Sequence, residues 1–189
     1  GFWDKRQPLH MHIEQASPLL SRHCRQSSRR GGARRGRRGR RTTTRREIVE
    51  KTIFSGIIQV ETELDIMKVL ENFKGVIEDE PWLIKYCSRI IPIQAECESK
   101  LDEIRHKVNE LSEVIKENDT YRITVEKRQS SLHTSEIISN IADSLSNKVS
   151  LENSDWEIII QVLRNKTGIS IIPPNTILSV NRQKRVELD

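Results

Sequence analysis

No run of eighteen apolar residues occurs anywhere in the 189 residues, so a membrane-spanning helix is not expected. No positively charged start followed by a short apolar core announces a secretory signal either. Cysteine is scarce. Cys24, Cys87 and Cys97 are odd in number, widely spaced and without a CxxC pair, which fits free thiols in a reducing, cytoplasmic compartment. His10, His12, His23 and Cys24 carry donor atoms, but the spacing lacks the second pair that a structural metal site uses, so no metal is expected. Catalytic signatures are missing as well: GxxxxGK followed by Ser or Thr, GxGxxG, HExxH, GxSxG and the deaminase Cys/His set are all absent. The carboxylates are spread along helix faces and His106 falls on a polar one. We therefore expect no intrinsic catalysis, no cofactor and no small-molecule substrate.

What the chain has is charge, unevenly divided. Residues 1–46 hold 14 Lys and Arg against Asp4 and Glu14, a net of +12. Residues 47–189 hold 18 basic and 25 acidic residues, a net of −7. The overall +5 describes neither part. From Ser27 to Arg46 one alanine is the only apolar residue. Such a run has nothing to bury against an ordering cost of roughly 1–2 kcal/mol per residue, so 1–46 reads as a disordered basic arm. Closely spaced guanidinium groups suit phosphate, and released counterions would make binding salt-dependent. No aromatic side chain interrupts the run, so no base-stacking platform is present and binding there would be unspecific. The alternative is a solvated extension without function.

The remaining 143 residues suit one ordinary domain or two small ones. Ile57–Val60 is a short β run, and Asp65 offers an N-cap to a helix with Leu64, Met67, Leu70 and Phe73 on one stripe. Gly75 falls where that helix should stop, and Glu80-Pro81 should open another. Arg89–Ala95 reads as extended, with Pro92 demanding an edge or a bulge. Leu101, Ile104, Val108, Leu111 and Ile115 recur at helical spacing and predict a core-packed helix. Tyr121, Ile123 and Val125 alternate with polar residues as in a half-buried strand. A helix is expected at about 134–146, with Ile137, Ile138, Ile141, Ala142 and Leu145 inward. Trp156–Leu163 is apolar nearly throughout, as in a strand covered on both faces. Asn165–Gly168 supplies turn chemistry, and Ile169–Ile172 and Thr176–Val180 complete the sheet. Helices interleaved with strands in this order imply an α/β fold: a mixed sheet with at least one parallel crossover.

One junction is rich in candidate RNA contacts. Lys127, Arg128, Ser130, Ser131, His133 and Thr134 run from a strand end into a helix N-terminus, where amides and the dipole attract phosphate. The competing reading is that Ser131 or Thr134 merely caps the helix. Arg164 and Lys166 form a basic turn, and Arg182, Lys184 and Arg185 a basic tail.

The segments RIIPI at 89–93, YRITVEKR at 121–128, LHTSE at 132–136, VSLENSDW at 149–156 and TGISIIPP at 167–174, with ILSV at 177–180, together resemble a THUMP domain. Among such proteins the chain is most similar to archaeal stand-alone relatives of the tRNA acetyltransferase adaptor Tan1, over roughly residues 55–185. The resemblance implies a THUMP domain at 96–189, preceded by a partial ferredoxin-like region at 47–95 whose first strand and helix are replaced by the Arg/Gly run. It also implies an adaptor that holds the acceptor stem and 3′ CCA end of tRNA for a tRNA-modifying enzyme, an acetyltransferase acting on cytidine N4 in that case. Lys127–Thr134 and Arg182–Arg185 would then face RNA, with Arg164 and Lys166 as weaker candidates. The rival readings are a protein–protein module that touches RNA only through its basic arm, and a detached RNA-binding part of a modifying enzyme.

Overall fold

A computed structural model describes residues 9–15, 48–51, 54, 56–62, 64–80, 82–84 and 86–180. Its strands are β1 (Leu9–Gln15), β2 (Ile48–Lys51), β3 (Ile57–Thr62), β4 (Cys87–Ile93), β5 (Ala95–Glu98), β6 (Thr120–Arg128), β7 (Lys148–Val149), β8 (Trp156–Leu163), β9 (Lys166–Ile172) and β10 (Leu178–Ser179). The helices are α1 (Ile66–Asp79), α2 (Leu101–Leu111, continued by a 3-10 turn at Ser112–Val114) and α3 (Thr134–Ala142). One sheet has the order β10-β4-β1-β3-β2 and the other β5-β9-β8-β6-β7. The chain divides into two compact units, whose main continuous parts are Met11–Ile90 and Ile91–Leu178.

In the unit built on Met11–Ile90, Asp65 caps α1 as its position suggests: its carboxylate accepts from Met67 N at 2.9 Å and Lys68 N at 3.5 Å. Leu70 and Ile77 on the helix are buried, as are Met11, Phe54, Ile57 and Ile90 in the same unit. The helix does not stop at Gly75. It runs a further turn to Asp79, because Val76 and Ile77 continue the apolar stripe and a helical glycine costs only about 1 kcal/mol. No second helix follows among the described residues: Trp82 and Leu83 form a turn, with Leu83 N donating to Glu80 O at 3.0 Å. Leu64 precedes α1 instead of lying within it.

A larger correction concerns the basic arm. Leu9–Gln15 is a strand, seated between β4 and β3. Glu14 on it takes Ser88 Oγ on its carbonyl at 3.0 Å and faces Arg89 at 3.8 Å. Residues 1–46 are therefore not one continuous disordered arm. The Arg/Gly run falls in 16–47, outside the described residues, and joins β1 to β2. The alternating apolar and polar residues of Leu9–Gln15 are hidden in the sequence by the charge around them.

The unit built on Ile91–Leu178 is ordered by β8. It pairs in parallel with β6, Tyr121 opposite Trp156 through Arg128 opposite Leu163, and antiparallel with β9. The passage from β6 through α3 and β7 to β8 is the parallel crossover that the order of elements implies. Ile158, Ile160 and Val162 point to α2 and α3 and pack with Ile104, Val108, Tyr121, Ile137, Ile141, Ile169 and Ile171. The alternate residues face the other way, where Ile159 meets Ile91, Ile93 and Ile172. That opposite face also buries Glu157, whose carboxylate is held by Arg122 at 2.9 Å and by Thr124 Oγ1 at 2.7 Å. Partners on both oxygens are what a carboxylate 5% exposed requires. Ile138, expected inward, is 36% exposed; α3 ends at Ala142, and its inward stripe is Ile137 and Ile141. Pro92 sits one residue before the end of β4, where the chain turns at Gln94 from one sheet to the other. Ser170 Oγ donates to the Pro92 carbonyl at 2.5 Å, and Ile171 N donates to Gln94 Oε1 at 2.6 Å.

The N-terminal ends of β6 and β8 are tied by two aspartates. Asp155 Oδ2 accepts from Thr120 N and Thr120 Oγ1, both at 2.8 Å. Asp119 Oδ2 accepts from Trp156 Nε1 at 2.8 Å and Lys116 N at 3.1 Å. Asp155 and Trp156 of the 149–156 segment thus form a brace, at the end of the sheet away from the candidate RNA loop.

Added at Gly75, a Cβ meets nothing within 4 Å, so Gly75→Ala should stabilise α1 by roughly 0.5–1 kcal/mol, read as slower amide exchange along Ile66–Asp79. The Asp155 brace should respond to acid. The Thr120 N–H holds the Asp155 carboxyl below its ordinary value of 3.8, with the Thr120 hydroxyl adding to it. A depressed folded pKa means that this brace contributes above the ordinary Asp value and fades as pH falls through the folded one. NMR should show the Asp155 carboxyl and the Thr120 amide titrating together below that value, and Asp155→Asn should abolish the amide's step.

Candidate nucleic-acid interface

Two parallel strands, with β9 running back alongside the second, put several chain reversals at one end of the sheet. β6 ends at Arg128 and leads through 129–133 into α3, while β8 ends at Leu163 and reverses through Arg164-Asn165 into β9. The turn expected at Asn165–Gly168 therefore starts one residue earlier, and Lys166–Gly168 already belong to β9. Arg164 N donates to Arg128 O at 3.0 Å, which ties the two reversals together. Ser99 N, just past β5, donates to Asn165 O at 3.0 Å.

This contact assembles a basic edge. Lys127, Arg128, Arg164 and Lys166 are all exposed there. The α3 N-terminus, the positive end of its dipole, follows at the same end of β6. Arg164 and Gln129 hold φ of 57° and 51°, in the left-handed region that favours glycine. An arginine kept in such a conformation presents its guanidinium at a cost that glycine would avoid, a pattern that strained residues show at ligand sites.

The individual residues divide by what they touch. Lys127 Nζ donates to Leu132 O at 2.9 Å, so its ammonium braces the loop as well as charging it. Ser130 Oγ accepts from Leu132 N at 3.2 Å and shapes the same loop, and Ser131 beside it is exposed. Neither Ser131 nor Thr134 is the cap of α3. That position is His133, whose N–H donates to Glu136 Oε2 at 3.4 Å, and Thr134 is the first helical residue. Lys166 lies 3.8 Å from Glu96, a carboxylate that moderates its charge. Arg182, Lys184 and Arg185 lie outside the described residues. Position along the chain makes Arg164 and Lys166 weaker candidates than the loop, and the strand register raises them. It sets Arg128 opposite Leu163 and so beside Arg164, although the two arginines are far apart in sequence. The signal that could have found this pairing is the parallel crossover itself.

Exposed ammonium and guanidinium groups beside free amides are able to hold phosphate. Cys97, a thiol on β5, has its pKa pushed up to about 11, first by burial and then by Glu103, so it stays protonated at neutral pH. Among the described residues no group of three or more His, Cys, Asp or Glu side chains could hold a metal. Of the side chains considered for one, His12 is buried in β1, while His23 and Cys24 lie outside the described residues. No helix among the described residues is long and apolar enough to cross a membrane.

An uncharacterized protein of Methanocaldococcus jannaschii is 27% identical to the chain over 143 residues, covering 73% of this chain and 37% of that protein. The crystal structure of PH1313 from Pyrococcus horikoshii superposes with a TM-score of 0.51 at 17% identity, over 92% of this chain and 55% of that one. TrmN from Thermus thermophilus gives a TM-score of 0.51 at 8% identity, over 86% and 45% respectively. For the two solved structures the likeness is one of fold, and the chain spans only about a third to a half of these longer proteins. Residues 98–172, the stretch from the end of β5 to the end of β9 that builds the basic edge, match the THUMP domain family model.

Proposed function

We propose that this chain binds tRNA at its acceptor stem and 3′ CCA end and holds it for a modifying enzyme. The observation that carries the reading is the Arg164 N to Arg128 O contact, which gathers Arg128, Arg164, Lys127 and Lys166 at one edge with a helix N-terminus. Basic side chains and amides at such an edge grip phosphates and orient RNA by shape, with little reading of base identity. The match of residues 98–172 to the THUMP family supports the same partner. The resemblance to the acetyltransferase adaptor extends the proposal to cytidine N4-acetylation. In this reading the chain contributes binding and the partner enzyme the chemistry. The net −7 of residues 47–189 is no obstacle, because screening over about 8–10 Å lets a local cationic edge act despite distant acids.

A second reading is favoured by length. Since the chain spans only part of its relatives, the same surface could serve as the RNA-binding part of a larger modifying protein. A pull-down that recovers tRNA with a separate modifying enzyme supports the adaptor, and recovery of tRNA alone favours this alternative.

Two measurements test the site. An acceptor minihelix with its 3′ overhang should bind at least about tenfold more tightly than a blunt one, as expected when a single-stranded end is recognised. Equal affinities would reject end recognition. Arg164→Gly relieves the positive φ, so it should leave thermal stability unchanged or raised while weakening RNA binding. Combined with Arg128→Ala it should flatten the dependence of log K on log salt by about 1.5–2. An unchanged slope would move the phosphate contacts elsewhere.

A further inference from the structure

β6 is paired along one side and largely open along the other. It runs beside β8 from Tyr121 to Arg128, whereas β7, on the outer side, meets only Thr120 and Tyr121. Successive residues of a strand turn their backbone groups to opposite sides. The carbonyls of Thr120 and Arg128 accept from Asp155 N and Arg164 N on the β8 side, and that of Tyr121 accepts from Ser150 N on the β7 side. Ile123 and Val125, in step with Tyr121, therefore turn their N–H and C=O groups outward. Among the described residues no strand pairs with them there. Apolar side chains flank the opening. α3 packs on β6 while α2 packs on β5 and β9, and Ser144 Oγ, just past α3, donates to Asn109 Oδ1 of α2 at 2.9 Å. Asn140 lies one turn before Ser144. Ile138, about 160° around the helix from Asn140, is thus on the flank away from α2, toward the open side. It is 36% exposed, and Val149, which stands opposite Tyr121 at the start of the opening, is 46% exposed. Lys127 and the positive end of the α3 dipole stand at its far end.

We propose that the outer side of β6 takes up an extended segment of another protein as an added strand, apolar at alternate positions and acidic where it passes Lys127. A row of outward N–H and C=O groups is matched by another polypeptide backbone, and RNA carries no such alternating row of donors and acceptors. From Arg122 to Lys127 the opening spans about 20 Å, room for a strand of ordinary length. The segment's apolar side chains cover Ile138 and Val149, half-exposed groups that the core leaves unused. Lys127 gives one ammonium proton to Leu132 O and keeps two for a carboxylate. A second copy fits less well. Closed antiparallel pairing about Val125 sets Arg122 opposite the copy's Arg128, like charges face to face. Pairing about Thr124 instead brings the copy's Lys127 to the place beside Tyr121 that Val149 already holds. The inference rests on this side of β6 alone and stands whether or not the basic edge binds RNA.

The test uses the full chain and a fluorescein-labelled hexapeptide that alternates valine with threonine and carries a glutamate at one end. In the free protein the Ile123 and Val125 amides should exchange with solvent at least about tenfold faster than the Thr124 amide, which points to β8. Saturating peptide should slow both by about tenfold or more and leave Thr124 unchanged. Ile138→Gln, a change at an exposed position, should weaken peptide binding at least about threefold while leaving the melting temperature and minihelix binding unchanged. The same peptide with lysine in place of glutamate should bind about threefold or more weakly at low salt. Slow exchange of the Ile123 and Val125 amides in the free protein would overturn the proposal, because the side would then be covered already. Slowing that grows with protein concentration would overturn it by assigning the side to a second copy. Absence of any slowing with the peptide at about 1 mM would do so as well. Slowing by the acceptor minihelix but not by the peptide would assign the opening to RNA instead.

Discussion

Parallel pairing cannot be closed by a tight turn. To lay β8 beside β6 in the same direction, the chain must leave the end of β6, pass through α3 and β7, and return to the far end of the sheet. The consequences are asymmetric. At one end the strands start together and are clamped by Asp155 on Thr120 and by Asp119 on Trp156. At the other end both strands finish and both connections depart, so loops and a helix N-terminus accumulate where the backbone still has groups to offer. Arg128 and Arg164 meet there because the register pairs Arg128 with Leu163, and a different register would separate them.

The same division governs where charge can sit. Inside, β8 is apolar on its helix face and carries Glu157 and Gln161 on the other, where Arg122 and Thr124 satisfy the glutamate. Outside, basic residues collect at the ends of β6 and β8, while acids and bases mix along α1 and α2. Residues 47–189 can therefore be acidic in sum and still cationic at one edge, since charges farther apart than the screening length hardly sense each other.

Regular periodicity is legible in the sequence. Ile104 and Val108 on α2, the alternation of β6 and the nearly continuous apolar run of β8 all take the form their spacing indicates. Punctuation is less reliable. Gly75 looks like a stop and is a helical residue, because propensity is weaker than the burial of Ile77 that follows it. Ser131 or Thr134 reads as the cap of α3, and His133, a candidate RNA contact in the sequence, is the cap. Leu9–Gln15 is lost inside a charge average, because a strand of seven residues needs only neighbours to pair with, and β3 and β4 lie far along the chain. The candidate site is half legible. Lys127 through Thr134 can be seen as a loop, but its union with Arg164 is a tertiary fact.

Lys127 shows why residue type alone does not decide roles within that loop. A lysine at a strand end reads as a phosphate ligand, yet its ammonium is bonded to Leu132 O. An ammonium has three protons, so one bond to a carbonyl still leaves two for an anion, and the bond fixes where they point. Arg164 differs. It owes its place to a backbone reversal instead of a side-chain bond, and its guanidinium has no such anchor among the described residues. The edge thus holds one cation positioned by a bond to its own chain and another presented by a turn of positive φ.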